Sequence, residues 1–357
     1  MTADAMRRFL RELEGTVEAL GPFETPVEAA DAHRHVLRLT SAALDLFVER
    51  ADPARPMPTE WMSPTRKFLG DSPDTVYTTV PVSSAHRYRL RIGVGNALYT
   101  GMVAYGRRTS GGAVHIVDSV VDRDLMIKDG QLIVEVGPHI EPGNPSGLSI
   151  DDSTFWIMVR QYFASPFEKS GGQVVVERTD GVAPDGPPDP EAFSTGVDAA
   201  GKWIAAQARA DMVLDGMMRY PEGSTAAATD PPVPPDDLVS LFFPTPDINY
   251  QGCRLMLAAG EQLRVDVVPP PCRFWSVVVS TPWLESLEHR VTHASINSER
   301  CHPNSDGSVT IVVSEHDPGV ANWIPLRGYA RAQVAYRVLL AENPPSDARF
   351  VVEHGGP

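Results

Sequence analysis

Long apolar runs are missing from this chain. None approaches the roughly eighteen residues that a helix needs to cross a bilayer. Residues 1–21 also lack the unbroken apolar core of an export signal, because Arg7, Arg8, Arg11, Glu12 and Glu14 interrupt them. Cysteine is scarce: Cys253, Cys272 and Cys301 all fall in the second half and form no Cys-x-x-Cys pair. An odd count without such a pair fits a reducing compartment better than a disulfide scaffold. Basic residues are outnumbered 31 to 46, leaving a net charge of −15. Nucleic acid and anionic membranes both need a cationic footprint, so neither is expected as a partner. These absences together give the expectation of a soluble, cytoplasmic protein. There is likewise no Gly-x-Ser-x-Gly elbow, no phosphate-binding Gly-Lys-Ser/Thr and no Gly-x-Gly-x-x-Gly after a strand, so no cofactor is expected.

What the chain has is a repeat. Pro73-Asp74-x-x-Tyr77 opens a β-rich stretch, and Pro246-Asp247-x-x-Tyr250 opens another. An Asp-Gly turn follows in each, at Asp129-Gly130 and Asp306-Gly307. An Arg then stands in an apolar strand, at Arg160 and Arg337, and each stretch closes on an apolar run ending in Glu177 or Glu353. Four landmarks in one order predict two copies of one β module. A length of 357 residues suits two domains of about 150–180 residues.

Local signals fill in the elements. Residues 3–20 read as a short amphipathic helix, and Thr25-Pro26-Val27-Glu28 is a capping box predicting a helix to about Arg50. Its buried stripe is expected at Val36, Thr40, Ala43, Leu44 and Phe47. Pro53, Pro56, Pro58 and Pro64 then forbid a helix. Short strands follow over 75–82, 88–92, 98–105, 113–121 and 132–136, with the spacing of a sandwich or jelly roll. Residues 179–188 are a linker by composition, Asp189-Pro190-Glu191 starts another helix ending near Pro221, and Pro231, Pro232, Pro234 and Pro235 mark a second connector. The fold expected is mainly β with helical additions, α+β: two tandem sandwich or jelly-roll-like modules, each after a helix and a Pro-rich connector. The boundaries are 1–69 for helices and connector, 70–178 for the first module, 179–244 for linker, helix and connector, and 245–357 for the second module.

Several of these segments resemble a bacterial family known as domain of unknown function 1214, which often follows a domain numbered 1254. The resemblance rests on Asp71 to Tyr77, Phe155-Trp156 through Phe163, Cys272-Arg273-Phe274-Trp275, Asp306-Gly307-Ser308, His316-Asp317-Pro318-Gly319, Asn322-Trp323-Ile324-Pro325 and Arg337. It implies β-sandwich, jelly-roll-like modules and implies no reaction.

Candidate chemistry gathers in the second copy. Asp247 and Tyr250 pair a carboxylate with a phenol, a proton acceptor with a donor. Their recurrence as Asp74 and Tyr77 favours a structural turn at strand entry, which each module needs. Arg337 would clamp an anion, or else pair with a buried carboxylate, as would Arg160. Asn249, Trp275, Asn322, Trp323 and Arg331 are the expected substrate-binding residues, since Trp with an amide and an Arg can stack and hydrogen-bond a small molecule. His289 and His293 would lie about 13 Å apart on a strand, too far for one ion, so no metal is expected. The first function expected is binding of a small, partly apolar organic molecule, as a cofactor-independent isomerase, lyase or hydrolase of specialised or catabolic metabolism. The alternatives are a non-catalytic glycan- or ligand-binding sandwich and a scaffold or homo-oligomer subunit.

Overall fold

The computed structural model describes residues 2–355 except 22, 24, 108–113, 182, 183, 188, 225–239 and 330. The four prolines of the second connector, and Ala113, Val182, Ala183 and Pro188 of the expected strand and linker, lie outside the described residues. Among the described residues three α-helices form: α1 (Thr2–Glu18), α2 (Pro26–Leu44) and α3 (Pro190–Met217). The Thr25 hydroxyl accepts from the Glu28 amide at 3.1 Å, and Pro26 takes the first helical position where its missing N–H is not needed. Asp189 caps α3 in the same way through the Glu191 amide at 2.9 Å. A π-helical turn, Asp45–Glu49, carries α2 to the expected end.

The strands, eighteen among the described residues, follow the two-copy plan. The first copy holds β1 (Thr59–Met62), β2 (Thr75–Pro81), β3 (Tyr88–Gly93), β4 (Tyr99–Arg107), β5 (Val114–Val121), β6 (Ile127–Lys128), β7 (Gln131–Gly137), β8 (Gly147–Ser149), β9 (Thr154–Tyr162) and β10 (Val174–Arg178). The second holds β11 (Ile248–Met256), β12 (Glu261–Val267), β13 (Phe274–Ser280), β14 (Ser295–Asn297), β15 (Val309–Ser314), β16 (Trp323–Pro325), β17 (Arg331–Leu339) and β18 (Arg349–His354). One sheet runs β1-β2-β9-β4-β5 in the first copy and β11-β17-β13-β14 in the second. The facing sheet runs β10-β3-β7-β6 in the first and β18-β12-β15-β16 in the second. In both copies the strand before the long Arg-bearing strand joins parallel, β8 on β7 and β16 on β15. The extra strands of the first copy are β1, contributed by the Pro-rich connector, and the two-residue β6.

Register repeats as well as order. Tyr77 sits opposite Arg160, and Tyr250 opposite Arg337. The Phe163 amide donates to the Asp74 carbonyl at 2.8 Å, and the Leu340 amide donates to the Asp247 carbonyl at 2.8 Å. A one-residue slip would turn every side chain to the opposite face, so matched register means matched inner and outer faces.

Each sandwich has its own core, with Leu90, Ile92, Met102 and Ile157 in the first and Val265, Val277, Ile311 and Tyr336 in the second. A third apolar layer lies between the helices and the outer face of the five-stranded sheet. There Trp61, fully buried, meets Phe68 at 5.1 Å and Phe243 at 5.0 Å, both edge to face. Such pairs contribute about 0.5–1.5 kcal/mol beyond area burial. In this layer α3 runs against the π-turn so closely that a Cβ on Gly196 would sit 2.0 Å from the Phe47 carbonyl oxygen. Backbone cannot yield there, so Gly196→Ala is expected to lower unfolding stability by more than about 2 kcal/mol in urea titration. A change below about 0.5 kcal/mol would show that helix and turn can separate freely.

Candidate functional site

The two copies meet along a seam of aromatic and aliphatic side chains, Tyr99, Tyr162, Ile248, Phe274 and Leu339. Across it the repeated arginines exchange partners. Arg160 Nη2 donates to the Phe243 carbonyl at 2.7 Å, in the segment that leads into the second module. Arg337 Nη2 donates to the Gly70 carbonyl at 2.7 Å, at the matching place before the first. The expected buried Arg–Asp pair is therefore replaced by crossed Arg–carbonyl bonds. Among the described residues neither guanidinium has a carboxylate within salt-bridge distance.

Asp247, Tyr250 and Arg337, the expected catalytic set, come together at this seam with mixed roles. Asp247 accepts from the Tyr99 hydroxyl at 2.7 Å, which ties it to the first module. Burial, with Asp247 alongside, pushes the Tyr99 phenol far up, so it stays protonated and donates. Tyr250 lies 5.8 Å from the Arg337 guanidinium and is 56% exposed, whereas its counterpart Tyr77 is 6% exposed. Asp74, the counterpart of Asp247, accepts from Arg300 and from Ser295, each at 2.9 Å.

The expected substrate-binding residues do not converge. Trp275 is 5% exposed and packs edge to face on Tyr336 inside the second sandwich. The buried Asn322 side chain accepts from the His302 amide and donates to the carbonyls of His302 and Thr310 at 2.8–3.0 Å. That spends it on holding two segments together. Asn249 is exposed on β11, opposite Val338. Trp323 donates from Nε1 to the Ser314 hydroxyl at 3.0 Å. Arg331 Nη1 bonds Glu28 at 2.7 Å, tying β17 to the start of α2.

Ser314 and the segment between Trp323 and Arg331 border a cavity of about 450 Å³ that is open to solvent on one side. It occupies the mouth of the second sandwich, between the β11–β12 turn, the loop after β15 and the approach to β17. Leu257, Leu326 and Tyr329 give it an apolar wall, and Glu261, Glu315 and His316 a polar one. Glu261 accepts from the Ala258 amide at 2.8 Å, and Glu315 from the Gly328 amide at 2.7 Å, so backbone donors fix both carboxylates. The Tyr329 hydroxyl donates to Asp31, and burial followed by that bond pushes its phenol well up. Gly328 and Tyr329 also line a crevice of about 50 Å³ that reaches Arg331, Glu28 and Trp283.

The equivalent end of the first sandwich is closed. Tyr88 donates to the Pro53 carbonyl at 3.0 Å, and Arg178 to the Ala54 carbonyl at 3.1 Å, drawing the first connector across it. Ser84 donates to Asp152 at 2.6 Å, and His86 contacts Asp180 at 3.1 Å, joining its turns. The sequence marks His316 only within a segment that carries the family resemblance and gives Glu261, Glu315, Leu326 and Tyr329 no binding role. The one signal available was the His316-Asp317-Pro318-Gly319 turn.

The histidine pair His289 and His293 lies in an irregular segment rather than on a strand. His289 is buried, and His293 is held by Arg300 at 2.7 Å. Among the described residues no group of three or more His, Cys, Asp or Glu side chains could hold a metal ion. Nor, among them, is any helix long and apolar enough to cross a membrane.

With this geometry in view the chain can be placed among known proteins. Residues 251–343 match the family described as protein of unknown function, DUF1214. The match takes in the second-module segments of the resemblance, from Cys272 to Arg337, but not Asp71–Tyr77 or Phe155–Phe163 of the first module, and no 1254 domain is shown. The crystal structure of an uncharacterised protein from Burkholderia cenocepacia is similar throughout, with a TM-score of 0.84 and 25% identity over 99% of this chain and 96% of that one. The VPA0106 protein from Vibrio parahaemolyticus is a distant likeness, with a TM-score of 0.49 and 10% identity over 90% of this chain and 98% of that one. No curated protein matches the chain.

Proposed function

We propose that the protein binds a small, partly apolar organic molecule in the mouth of its second sandwich. One observation carries this: the same end of two copies with one topology is closed by its connector in the first and left as a cavity of about 450 Å³ in the second. That volume lies in the range of small-molecule sites, which combine apolar walls with a few fixed polar groups. Among the described residues no cation lies within salt-bridge distance of Glu261, Glu315 or Asp317. The rim therefore favours a ligand bearing an amine or several hydroxyl groups over an anion. Exposed aromatic rings of Phe167, Phe193 and Tyr250 sit on separate elements, which disfavours the strip of rings a glycan-binding face would use.

Catalysis without a cofactor is the second reading, favoured by His316 and Glu315 lining one cavity. An imidazole and a carboxylate beside a bound molecule can take and return a proton, the step isomerases, lyases and hydrolases share.

The test is to incubate the protein with a bacterial metabolite extract, recover it, and identify retained and consumed compounds by mass spectrometry. Retention is expected for wild type and should vanish in Ala259→Trp, which fills the cavity from an exposed turn. Glu315→Gln keeps an acceptor for the Gly328 amide but removes the charge. It should weaken an amine-bearing ligand about tenfold, the 1.4 kcal/mol scale of one charge-assisted hydrogen bond. Equal retention by Ala259→Trp would sink the proposed site, and retention without consumption would remove the catalytic reading.

A further inference from the structure

Between α2 and the turn that follows β1 lies a cavity of about 360 Å³, open to solvent, which shares no lining residue with the mouth cavity. Arg34, Leu37, Arg38 and Ser41 form one wall, because spacings of three and four residues bring them to one face of the helix. The turn supplies the other wall with Ser63, Thr65 and Arg66. Its backbone closes on itself, the Ser63 and Arg66 amides donating to each other's carbonyls at 3.0 and 3.1 Å. Arg38 Nε ties the two walls together through the Thr65 carbonyl at 3.2 Å.

The chain carries a net charge of −15, yet three arginines line this cavity and no described lining residue is acidic. The acids that hold the guanidiniums do not line it. Asp31, bonded by Arg34 Nη1 at 2.7 Å, is 5% exposed, and Glu285, bonded by Arg38 Nη1, is 1% exposed. Asp31 also accepts from Tyr329, and Glu285 also binds His35, so neither carboxylate belongs to one guanidinium alone. Arg66 is committed to Asp45 and to the carbonyls of Glu60 and Trp61, and adds charge rather than free donors. Arg34 Nε and Nη2, and Arg38 Nη2, bond no group among the described residues. Ser41 Oγ accepts from Arg66 Nη1 at 3.4 Å, which leaves its own hydrogen to give. Guanidiniums already fixed by buried carboxylates lose less freedom on binding than solvated ones. Beside them Leu37 is 70% exposed, an apolar surface on the same helix face.

We propose that this cavity is a second binding site, taking the phosphate monoester of a small organic molecule. Arg34, Arg38 and the Ser41 hydroxyl donate to the phosphate oxygens, and Leu37 meets the apolar part of the ester. A monoester brings about −1.5 to −2 charges at pH 7 and three acceptor oxygens, which suits two guanidinium forks and a hydroxyl. A carboxylate brings one charge and two oxygens. The volume lies in the range of small-molecule sites, so an organic group fits beside the phosphate. The acidic remainder of the chain opposes a polyanion or an anionic membrane.

Titration calorimetry of the full chain at low salt tests this, with phenyl phosphate as the probe and benzoate and inorganic phosphate as comparators. Phenyl phosphate should bind about tenfold tighter than benzoate, a margin of one charge-assisted hydrogen bond. Arg34→Gln should weaken both phosphate probes about tenfold on the same scale. Ser41→Asp, which puts a carboxylate into the wall from an exposed helix position, should abolish their binding while melting stays near wild type. Leu37→Ser should bring phenyl phosphate down towards inorganic phosphate and leave inorganic phosphate unchanged. Ala259→Trp in the mouth cavity should alter none of these, so this site and the mouth site stand or fall separately. No binding of phenyl phosphate by wild type, equal binding of benzoate, wild-type affinity in Ser41→Asp, or loss of binding in Ala259→Trp would overturn the proposal.

Discussion

His35→Ala will lower unfolding stability by about 3–5 kcal/mol, the largest single effect expected outside the sandwich cores. His35 is fully buried on α2, with Nε2 2.9 Å from Asp211 on α3 and Nδ1 2.9 Å from Glu285 of the second module. Arg38 also binds Glu285, Gln207 binds the other Asp211 oxygen at 2.9 Å, and the ring stacks on Trp283. Burial alone would pull the imidazole down, but its bonds to Asp211 and Glu285 override that and hold it up at about 9. The folded state thus keeps this proton more tightly than the unfolded chain, where the value is 6.5. The resulting stabilisation is complete below pH 6.5 and is lost as pH rises through about 9, a swing of about 3 kcal/mol. Urea titrations of wild type between pH 6.5 and 9.5 should show that decline, and the His35→Ala series should lack it. Asp211→Asn in the His35→Ala background should recover part of the loss, because it removes the carboxyl that burial already disfavours. Parallel pH slopes in wild type and variant would show that His35 is buried neutral.

Arg337→Ala is the second large effect, about 3 kcal/mol. It removes a charge-assisted bond to the Gly70 carbonyl and leaves that carbonyl and a cavity at the seam. Arg160→Ala removes the matching bond to Phe243 and one to the Tyr105 hydroxyl at 3.0 Å, so it should fall in the same range. Both variants should retain mouth-cavity ligands once folded, because the crossed bonds join modules and do not line that cavity. Unchanged melting in either would remove the claim that the arginines staple the copies together.

Much of the fold can be read from local chemistry. Thr25 and Asp189 announce their helices because an N-cap needs only residues within one turn. The repeated Pro-Asp-x-x-Tyr brings Tyr77 and Tyr250 opposite Arg160 and Arg337 although the intervening lengths differ, because register is set by which faces of the paired strands are buried. What stays hidden depends on docking between distant segments. Phe243 accepts from an arginine 83 residues away, and the two carboxylates on His35 stand 176 and 250 residues from it. Nothing near His35 distinguishes it from a polar residue at the edge of an amphipathic stripe. Trp275 and Asn322 look like binding residues in sequence because Trp and an amide suit a ligand, yet the same properties suit a core and a loop tie. The mouth cavity is assembled from turns spread between Leu257 and Gly355, and no one of them carries its pattern.

Divergence between the two mouths is tested most directly by crystals grown with a compound retained from extract. Density is expected in the second sandwich against Leu326 and Tyr329, with a polar group at Glu315, and none at the first mouth behind Pro53. A ligand bound at the first mouth, or a second mouth left empty by every retained compound, would contradict it.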